Sequence, residues 1–170
     1  MAGKVGDMST SWYGEVMSEP RWLTPDQADV WAKYRRVRRE LQRAQDQQLQ
    51  QDSGLSAADY ALLAPLSESA DGVLRARELG AEVDWERSRL SHQISRMEKR
   101  GLVTREACAD DARGSMVRLT EKGREAIEAA APAHAENVRR LFFDPLTSDE
   151  VRLFGDFLDR ILGAVQQNSR

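Results

Sequence analysis

The hydrophobic pattern of the chain changes its period at Gly101. Before this glycine, Leu90, Ile94 and Met97 recur at intervals of four and three residues, which is the period of a helix buried along one side. We expect that helix to run from Trp85 to Arg100, with Gly101 just past its C-terminus. Beyond Gly101 the apolar residues alternate, so the helix must be followed by strands.

The alternating segments lie at residues 102–106 and 116–119. Residues 110–114 between them are rich in turn-forming Asp and Gly. Two alternating runs joined by a turn predict an antiparallel hairpin. This hairpin, residues 102–119, is called the wing below.

Short helices are predicted before the wing. A capping box opens one helix at residues 56–69, and a turn at residues 71–72 separates it from a second helix at residues 74–81. Asp84 is expected to cap the helix that ends at Gly101. Three short helices followed by a hairpin are the parts of a winged helix-turn-helix.

Long helices with narrow apolar seams are predicted at both ends of the chain. Capping boxes at Thr24–Gln27 and Thr147–Glu150 open the first and last of them. The seams comprise Val30, Tyr34, Val37 and Leu41 in the first helix, and Phe154, Leu158, Ile161 and Val165 in the last. Apolar residues that recur every three and four residues along a helix are typical of helices that pack against one another. One small domain offers no internal surface that could bury all of these seams. We therefore expect a homodimer.

The predicted fold is mainly α with a small hairpin. A winged helix-turn-helix lobe at residues 55–120 is flanked by long dimerisation helices at residues 21–54 and 121–170. Residues 1–20 show no periodicity and are expected to form a flexible arm.

The composition of the chain argues against several classes of function. The longest uncharged apolar stretch is far short of the ~18 residues that span a bilayer, and the first residues do not resemble a secretory signal, so we expect no membrane and a cytoplasmic location. One cysteine and two histidines give little material for a metal centre or a catalytic triad. Without a Gly-rich phosphate loop or nucleophile elbow, and with no evident partner for Asp59 or Glu68, we expect neither an enzyme nor a cofactor.

The helix of residues 85–100 presents small hydroxyls and hydrogen-bond donors opposite its apolar line. The candidate nucleic-acid contacts on this face are Ser88, Arg89, Ser91, His92, Arg96 and Lys99. Such a face fits the major groove, where arginine bonds guanine bidentately. Residues 85–124 contain ten Lys or Arg and six Asp or Glu, hence +4, whereas the whole chain is −3. A basic excess at helix and wing is consistent with phosphate binding.

Three blocks at the right separations resemble the MarR family of winged-helix transcriptional regulators. They are Met-Glu-Lys-Arg-Gly-Leu-Val at residues 97–103, Asp-Ala-Arg at residues 111–113 and Leu-Thr-Glu-Lys-Gly at residues 119–123. The resemblance implies an α-rich homodimer joined through its terminal helices, with two winged lobes on double-stranded DNA. Arg113 at the hairpin tip would reach the minor groove, and Asp111 would hold its guanidinium. His92 and Arg89 depart from the common family pattern, which suggests an unusual base preference.

These observations predict a sequence-specific regulator, a repressor of a palindromic operator that a small-molecule ligand releases. By resemblance, the ligand pocket lies between the dimer helices and the lobe and often takes small aromatic acids. Trp31, Arg35 and Tyr60 are candidates to line it, although such aromatic residues are more often plain core residues and such an arginine more often lies on a solvated face.

Two alternatives remain open. One is a winged-helix module that contacts only proteins; it would not need arginines on both the helix face and the wing. The other is a regulator that responds to oxidation through Cys108, although its neighbours Glu106 and Asp110 do not favour a reactive thiolate.

Overall fold

The computed structural model describes residues 20–108 and 111–168, with the backbone alone for residues 111–113. The chain divides into two units, Met1–Val37 and Arg38–Arg170. In chain order the elements are helices α1 (Pro25–Ser53) and α2 (Ala57–Glu68), strand β1 (Val73–Arg75), helices α3 (Ala76–Glu82) and α4 (Arg87–Lys99), strands β2 (Val103–Cys108) and β3 (Asp111–Leu119), and helices α5 (Glu121–Val138) and α6 (Ser148–Asn168). A π-helical turn, Arg139–Phe143, continues α5.

Capping boxes mark the starts of α1, α2 and α6 as the sequence predicts. In each capping box a hydroxyl accepts the backbone N–H three residues on, while the acidic or amide side chain there accepts the backbone N–H of the cap. The pairs are Thr24 with Gln27, Ser56 with Asp59, and Thr147 with Glu150. Thr120 caps α5 by accepting the N–H of Gly123 at 3.0 Å.

The sheet has three strands, one more than the predicted hairpin. Leu74 and Arg75 lie in β1 and not in a helix, and β1 pairs antiparallel with β3 through Val73↔Arg118 and Arg75↔Met116. The strand order is β1-β3-β2. A three-residue strand has too short a pattern to be seen in the sequence, because it is specified by a partner far along the chain.

The wing strands extend further than their alternation predicts. β2 continues to Cys108 and β3 begins at Asp111, so residues 111–114 are strand and not turn. Cys108 pairs with Asp111 after a register shift at Ala107. Residues 109–110, part of the predicted turn, lie outside the described residues. The pairing of Asp111 with Cys108 keeps the start of this segment in a strand in spite of its turn-forming composition.

The expected cap of α4 is wrong. Asp84 has a left-handed backbone, with φ 51°, and α4 begins later, after Glu86. Aspartate tolerates this conformation better than most residues do. Asp84 therefore helps to form the tight turn from α3 to α4, in which Trp85 N donates to Gly80 O at 2.9 Å.

One apolar core lies within the second unit. The predicted inward line of α4 is confirmed, because Leu90, Ile94 and Met97 are all buried. The larger core side chains they join are Leu49, Leu55, Leu62, Leu63, Leu66, Leu79, Val103 and Val117. This core fixes α4 from its inner side and leaves its outer side to solvent.

The apolar seams of the terminal helices are exposed in the single chain. On α6, Phe154, Leu158, Ile161 and Val165 are 38–60% exposed. On α1, Val30, Tyr34 and Val37 are 49–65% exposed. Contiguous exposed apolar residues of this kind mark interaction surfaces.

Candidate nucleic-acid interface

The outer side of α4 carries the predicted contact residues. Ser88, Arg89, Ser91, His92, Arg96 and Lys99 are all exposed on this helix. Among the described residues, Arg89, Arg96 and Lys99 form no ion pair within 4.0 Å. Their positive charges are therefore available to an external anion.

Trp85 fixes the beginning of α4. It is half-buried and packs against the apolar core just before the helix begins. The guanidinium carbon of Arg89 lies 4.1 Å from the centroid of the Trp85 ring, a cation–π contact. Arg89 is thus restrained on the outer side of the helix while its N–H groups stay exposed.

Arg105 connects the wing to α4. From β2 its guanidinium donates to Ser91 O at 2.7 Å and pairs with Glu98 at 3.2 Å. Its backbone N–H donates to the same carboxylate at 3.1 Å. Sequence reasoning counted Arg105 only as one positive charge, because a contact between a strand and a preceding helix has no local pattern.

Asp59 is a second residue whose role the sequence did not reveal. Beyond its capping role, its Oδ2 accepts a hydrogen bond from Arg100 Nη1 at 2.6 Å. The other end of the Arg100 guanidinium donates to Gly54 O at 2.9 Å. The expectation that Asp59 has no partner is therefore wrong, and Arg100 joins the end of α4 to the α1–α2 connection.

The structure describes only part of the wing. The backbone of Asp111 and Arg113 lies in β3, but their side chains are outside the described residues, so the predicted contact between them remains a prediction. Across the wing, Arg118 Nη2 donates to Glu106 Oε2 at 3.0 Å. This hydrogen-bonded guanidinium holds the pKa of the Glu106 carboxyl below its usual range. Part of the positive charge of the wing is thereby neutralised.

A groove of about 660 Å³ lies between α3, α4 and the wing. Arginines from four elements line it: Arg75 from β1, Arg77 from α3, Arg87 from α4 and Arg105 from β2. A groove lined by guanidinium groups beside an exposed donor face suits a polyanion.

The candidate ligand residues lie in different settings. In the first unit, Trp31 is 52% exposed and stacks on Tyr34 at 5.3 Å, and Arg35 is exposed. In the second unit, Tyr60 packs on His134 at 4.3 Å. Burial is the main cause of the raised pKa of Tyr60. The contact with His134 gives Tyr60 a packing role of its own.

Cys108 is buried at the end of β2. Within residues 20–108 and 111–168, no group of three or more His, Cys, Asp or Glu could hold a metal ion. In the same residues, no helix is both long and apolar enough to cross a membrane.

Comparison with known proteins identifies the family. A model of the MarR family matches residues 53–114. The transcriptional regulator HosA of Escherichia coli is 30% identical over 108 residues, which cover 64% of this chain and 78% of HosA. The crystal structure of Sco3205, a MarR family transcriptional regulator from Streptomyces coelicolor in complex with DNA, is 39% identical, with a TM-score of 0.83 over 88% of this chain and 93% of that chain. The chain belongs to the MarR family.

This MarR-family chain also resembles AbsC, a MarR family transcriptional regulator from Streptomyces coelicolor. The two are 36% identical, with a TM-score of 0.81 over 87% of this chain and 99% of AbsC. The predicted family and the predicted mainly α winged helix-turn-helix fold are both confirmed. The protein is a MarR-family transcriptional regulator.

Proposed function

We propose that the protein is a homodimeric, sequence-specific DNA-binding regulator whose α4 enters the major groove. The outer face of α4 carries this proposal. It presents six hydroxyl, imidazole and cationic side chains, while its inner face is fixed to the core and its flanks are held by Trp85 and Arg105. Donors fixed before binding lose little rotamer freedom when they meet base edges.

Charge distribution supports DNA over a protein partner. The +4 of residues 85–124 lies in a chain of −3, so the remainder is strongly acidic. A focused basic face attracts phosphates, whereas the acidic remainder repels them, so the duplex would be oriented towards α4 and the wing. Arg113, on β3, would add a minor-groove contact, and Asp111 would restrain it.

The exposed seams of α1 and α6 support a homodimer. We propose that residues 21–54 and 121–170 bury these seams against a second copy and that residues 55–120 form the DNA-binding lobe. A two-fold dimer presents two copies of α4, which matches a palindromic operator. Sco3205, the 39% identical relative, was crystallised in complex with DNA, which supports the same partner class here.

Repression relieved by a ligand is the regulatory part of the proposal. Bound over a promoter, such a dimer would block transcription. Binding of a small aromatic acid would release the dimer from the DNA. Trp31 and Arg35 of the first unit and Tyr60 of the second unit are separate candidate ligand residues, because arginine pairs with a carboxylate and aromatic side chains pack on an aromatic ring.

The decisive experiment selects binding sites from random duplexes and then titrates the selected site and a random duplex. We expect one enriched palindrome, and a log affinity that falls linearly with log salt, with a slope near −0.9 per phosphate neutralised. Arg89→Ala should lose about 1–3 kcal/mol on the selected site only, whereas Lys99→Ala should weaken both duplexes alike.

Arg43→Ala is the matched control, because Arg43 is an exposed arginine on α1, which is not part of the proposed face. It should bind both duplexes like the unmodified protein. Failure to enrich any sequence, with equal weak binding to all duplexes, would favour the module that contacts only proteins.

A further inference from the structure

Asp59 and Gln93 form a buried polar pair between α2 and α4. Asp59 is 2% exposed and Gln93 is 3% exposed, although α4 otherwise turns apolar side chains inward. Gln93 Nε2 donates to Asp59 Oδ1 at 2.8 Å. Buried polar groups cost free energy unless they are hydrogen-bonded, so this pair needs a reason beyond filling space.

The two oxygens of Asp59 have different partners. Oδ2 accepts from the backbone N–H and hydroxyl of Ser56, at 2.9 and 2.8 Å, and from Arg100. These contacts cap α2 and anchor the end of α4. Oδ1 accepts from Gln93. The capping and anchoring roles are therefore complete without the oxygen that faces Gln93.

The Asp59 carboxylate fixes which way the Gln93 amide points. A carboxylate only accepts hydrogen bonds, so the NH2 group of Gln93 must face it. The amide oxygen then faces the other way, where it accepts a hydrogen bond from Arg96 Nη2. A chain of two hydrogen bonds thus runs from buried Asp59 to exposed Arg96.

We propose that Asp59, acting through Gln93, is a positioning residue that holds the Arg96 guanidinium for reading DNA. This inference rests on the proposed DNA-binding role of α4. One N–H of Arg96 is used by Gln93, and the remaining guanidinium N–H groups stay available to bases or phosphates. Arg96 lies one turn beyond His92 on the outer face, so its orientation affects what that face can recognise.

Asp59→Asn reverses the polarity of this chain of hydrogen bonds while keeping the size of the side chain. Three donors converge on the position of Oδ2, so the single amide oxygen of the new asparagine takes that place and its NH2 group faces Gln93. The Gln93 amide must then flip to accept this donor, and its own NH2 group is turned towards Arg96. Two donors then face each other, and Arg96 loses its partner.

The double variant Asp59→Asn with Gln93→Glu restores the pattern. The new asparagine donates to one oxygen of the new glutamate, and the other oxygen of that glutamate accepts from Arg96. The net charge of the protein equals that of the unmodified chain. If Asp59 served only to cap α2 or to bind Arg100, the second substitution would not restore DNA recognition.

The experiment measures the affinity ratio between the selected site and a random duplex for each variant, with thermal melts alongside. Asp59→Asn should lower this ratio about three- to tenfold, since one arginine contact to a base is worth up to roughly a hundredfold. The double variant should recover most of it. In an Arg96→Ala background, Asp59→Asn should cause no further loss, as expected for two residues on one path.

The control variant is Asp52→Asn, at an exposed carboxylate that accepts from Gln48 Nε2 at 2.9 Å. It makes the same change of charge and should leave the ratio unchanged. If Asp59→Asn does not fold, Gln93→Met serves as a second variant. It removes the hydrogen bonds from Asp59 to Arg96 while keeping the cap of α2 and the Arg100 contact. It should lower the affinity ratio by about the same three- to tenfold.

An unchanged ratio in a folded Asp59→Asn protein would overturn the positioning role, as would an equal loss with and without Arg96. If the unmodified protein selects no site, the proposed function itself fails, and this result is distinct from either of those outcomes.

Discussion

Replacing Gly123 with alanine tests how closely α5 approaches the start of the wing. A Cβ at this position would overlap the carbonyl oxygen of Leu102 and lie 2.8 Å from Leu119 Cδ1. The overlapped atom belongs to the backbone, so no side-chain rotation can relieve the contact. The same carbonyl accepts hydrogen bonds from Thr120 N at 3.2 Å and Thr120 Oγ1 at 3.0 Å, so moving it would also weaken the cap of α5.

The size of the effect follows from these contacts. Overpacking costs about 1–3 kcal/mol, and disturbing two hydrogen bonds adds about 1–2 kcal/mol. Alanine regains at most about 1 kcal/mol of helix propensity. The free energy of unfolding should therefore fall by about 1–4 kcal/mol, which lowers the melting temperature of a chain of this size by roughly 2–15 °C.

Thermal melting followed by circular dichroism, at one fixed protein concentration, measures this change. Gly155→Ala is the control, because Gly155 is a helical glycine with nothing within 4 Å of the added Cβ, and it should melt no lower than the unmodified protein. A Gly123→Ala protein that melts within about 1 °C of the unmodified one would refute the reasoning, since the carbonyl could then yield at no cost.

Three other predictions concern the dimer, the wing and pH. Leu158→Glu should place an unpaired charge in the proposed interface, and sedimentation should change from about 38 kDa, twice the 19.2 kDa chain, towards a monomer; a folded 19.2 kDa unmodified monomer at micromolar concentration would contradict the dimer. Arg113→Ala should weaken binding to the selected site while leaving the melting temperature nearly unchanged, because an exposed ion pair is worth about 0–1 kcal/mol; unweakened binding in a gel shift would exclude a wing contact. Burial lowers the pKa of His134 below 6.5, so the unfolded chain binds the extra proton first and stability should fall as the pH drops below about 6.5; urea midpoints at pH 7 and pH 5 should show a smaller drop for His134→Gln, and an equal drop would assign the effect elsewhere.

Local signals account for what the sequence predicted correctly. The capping boxes and the three-four spacing of Leu90, Ile94 and Met97 involve residues at most one or two turns apart, so neighbours in the chain determine them. The basic excess of residues 85–124 is likewise a property of composition. The starts of α1, α2 and α6 and the inner face of α4 therefore needed no tertiary information.

Two of the wrong expectations, those for β1 and for Asp59, have a common physical cause, which is pairing over long separations. β1 exists because β3 supplies its partner. Asp111 lies in a strand because it pairs with Cys108 of β2, in spite of the turn-forming residues around it. Asp59 is a visible capping residue, but its contact with Arg100 crosses 41 positions. Asp84 has a residue type that suits a helix cap, but the same type suits a left-handed turn equally well.

The bridge that Arg105 makes from β2 to α4 has a geometric consequence. Three contacts from one residue, to Ser91 and Glu98, join the wing and α4 into a single stiff element. Within the proposed dimer, the angle between them is then set during folding and not by the duplex. The main quantity that can still adjust is the separation of the two copies of α4. We therefore expect the affinity to depend more steeply on the length of the operator spacer than on the bending of either half-site.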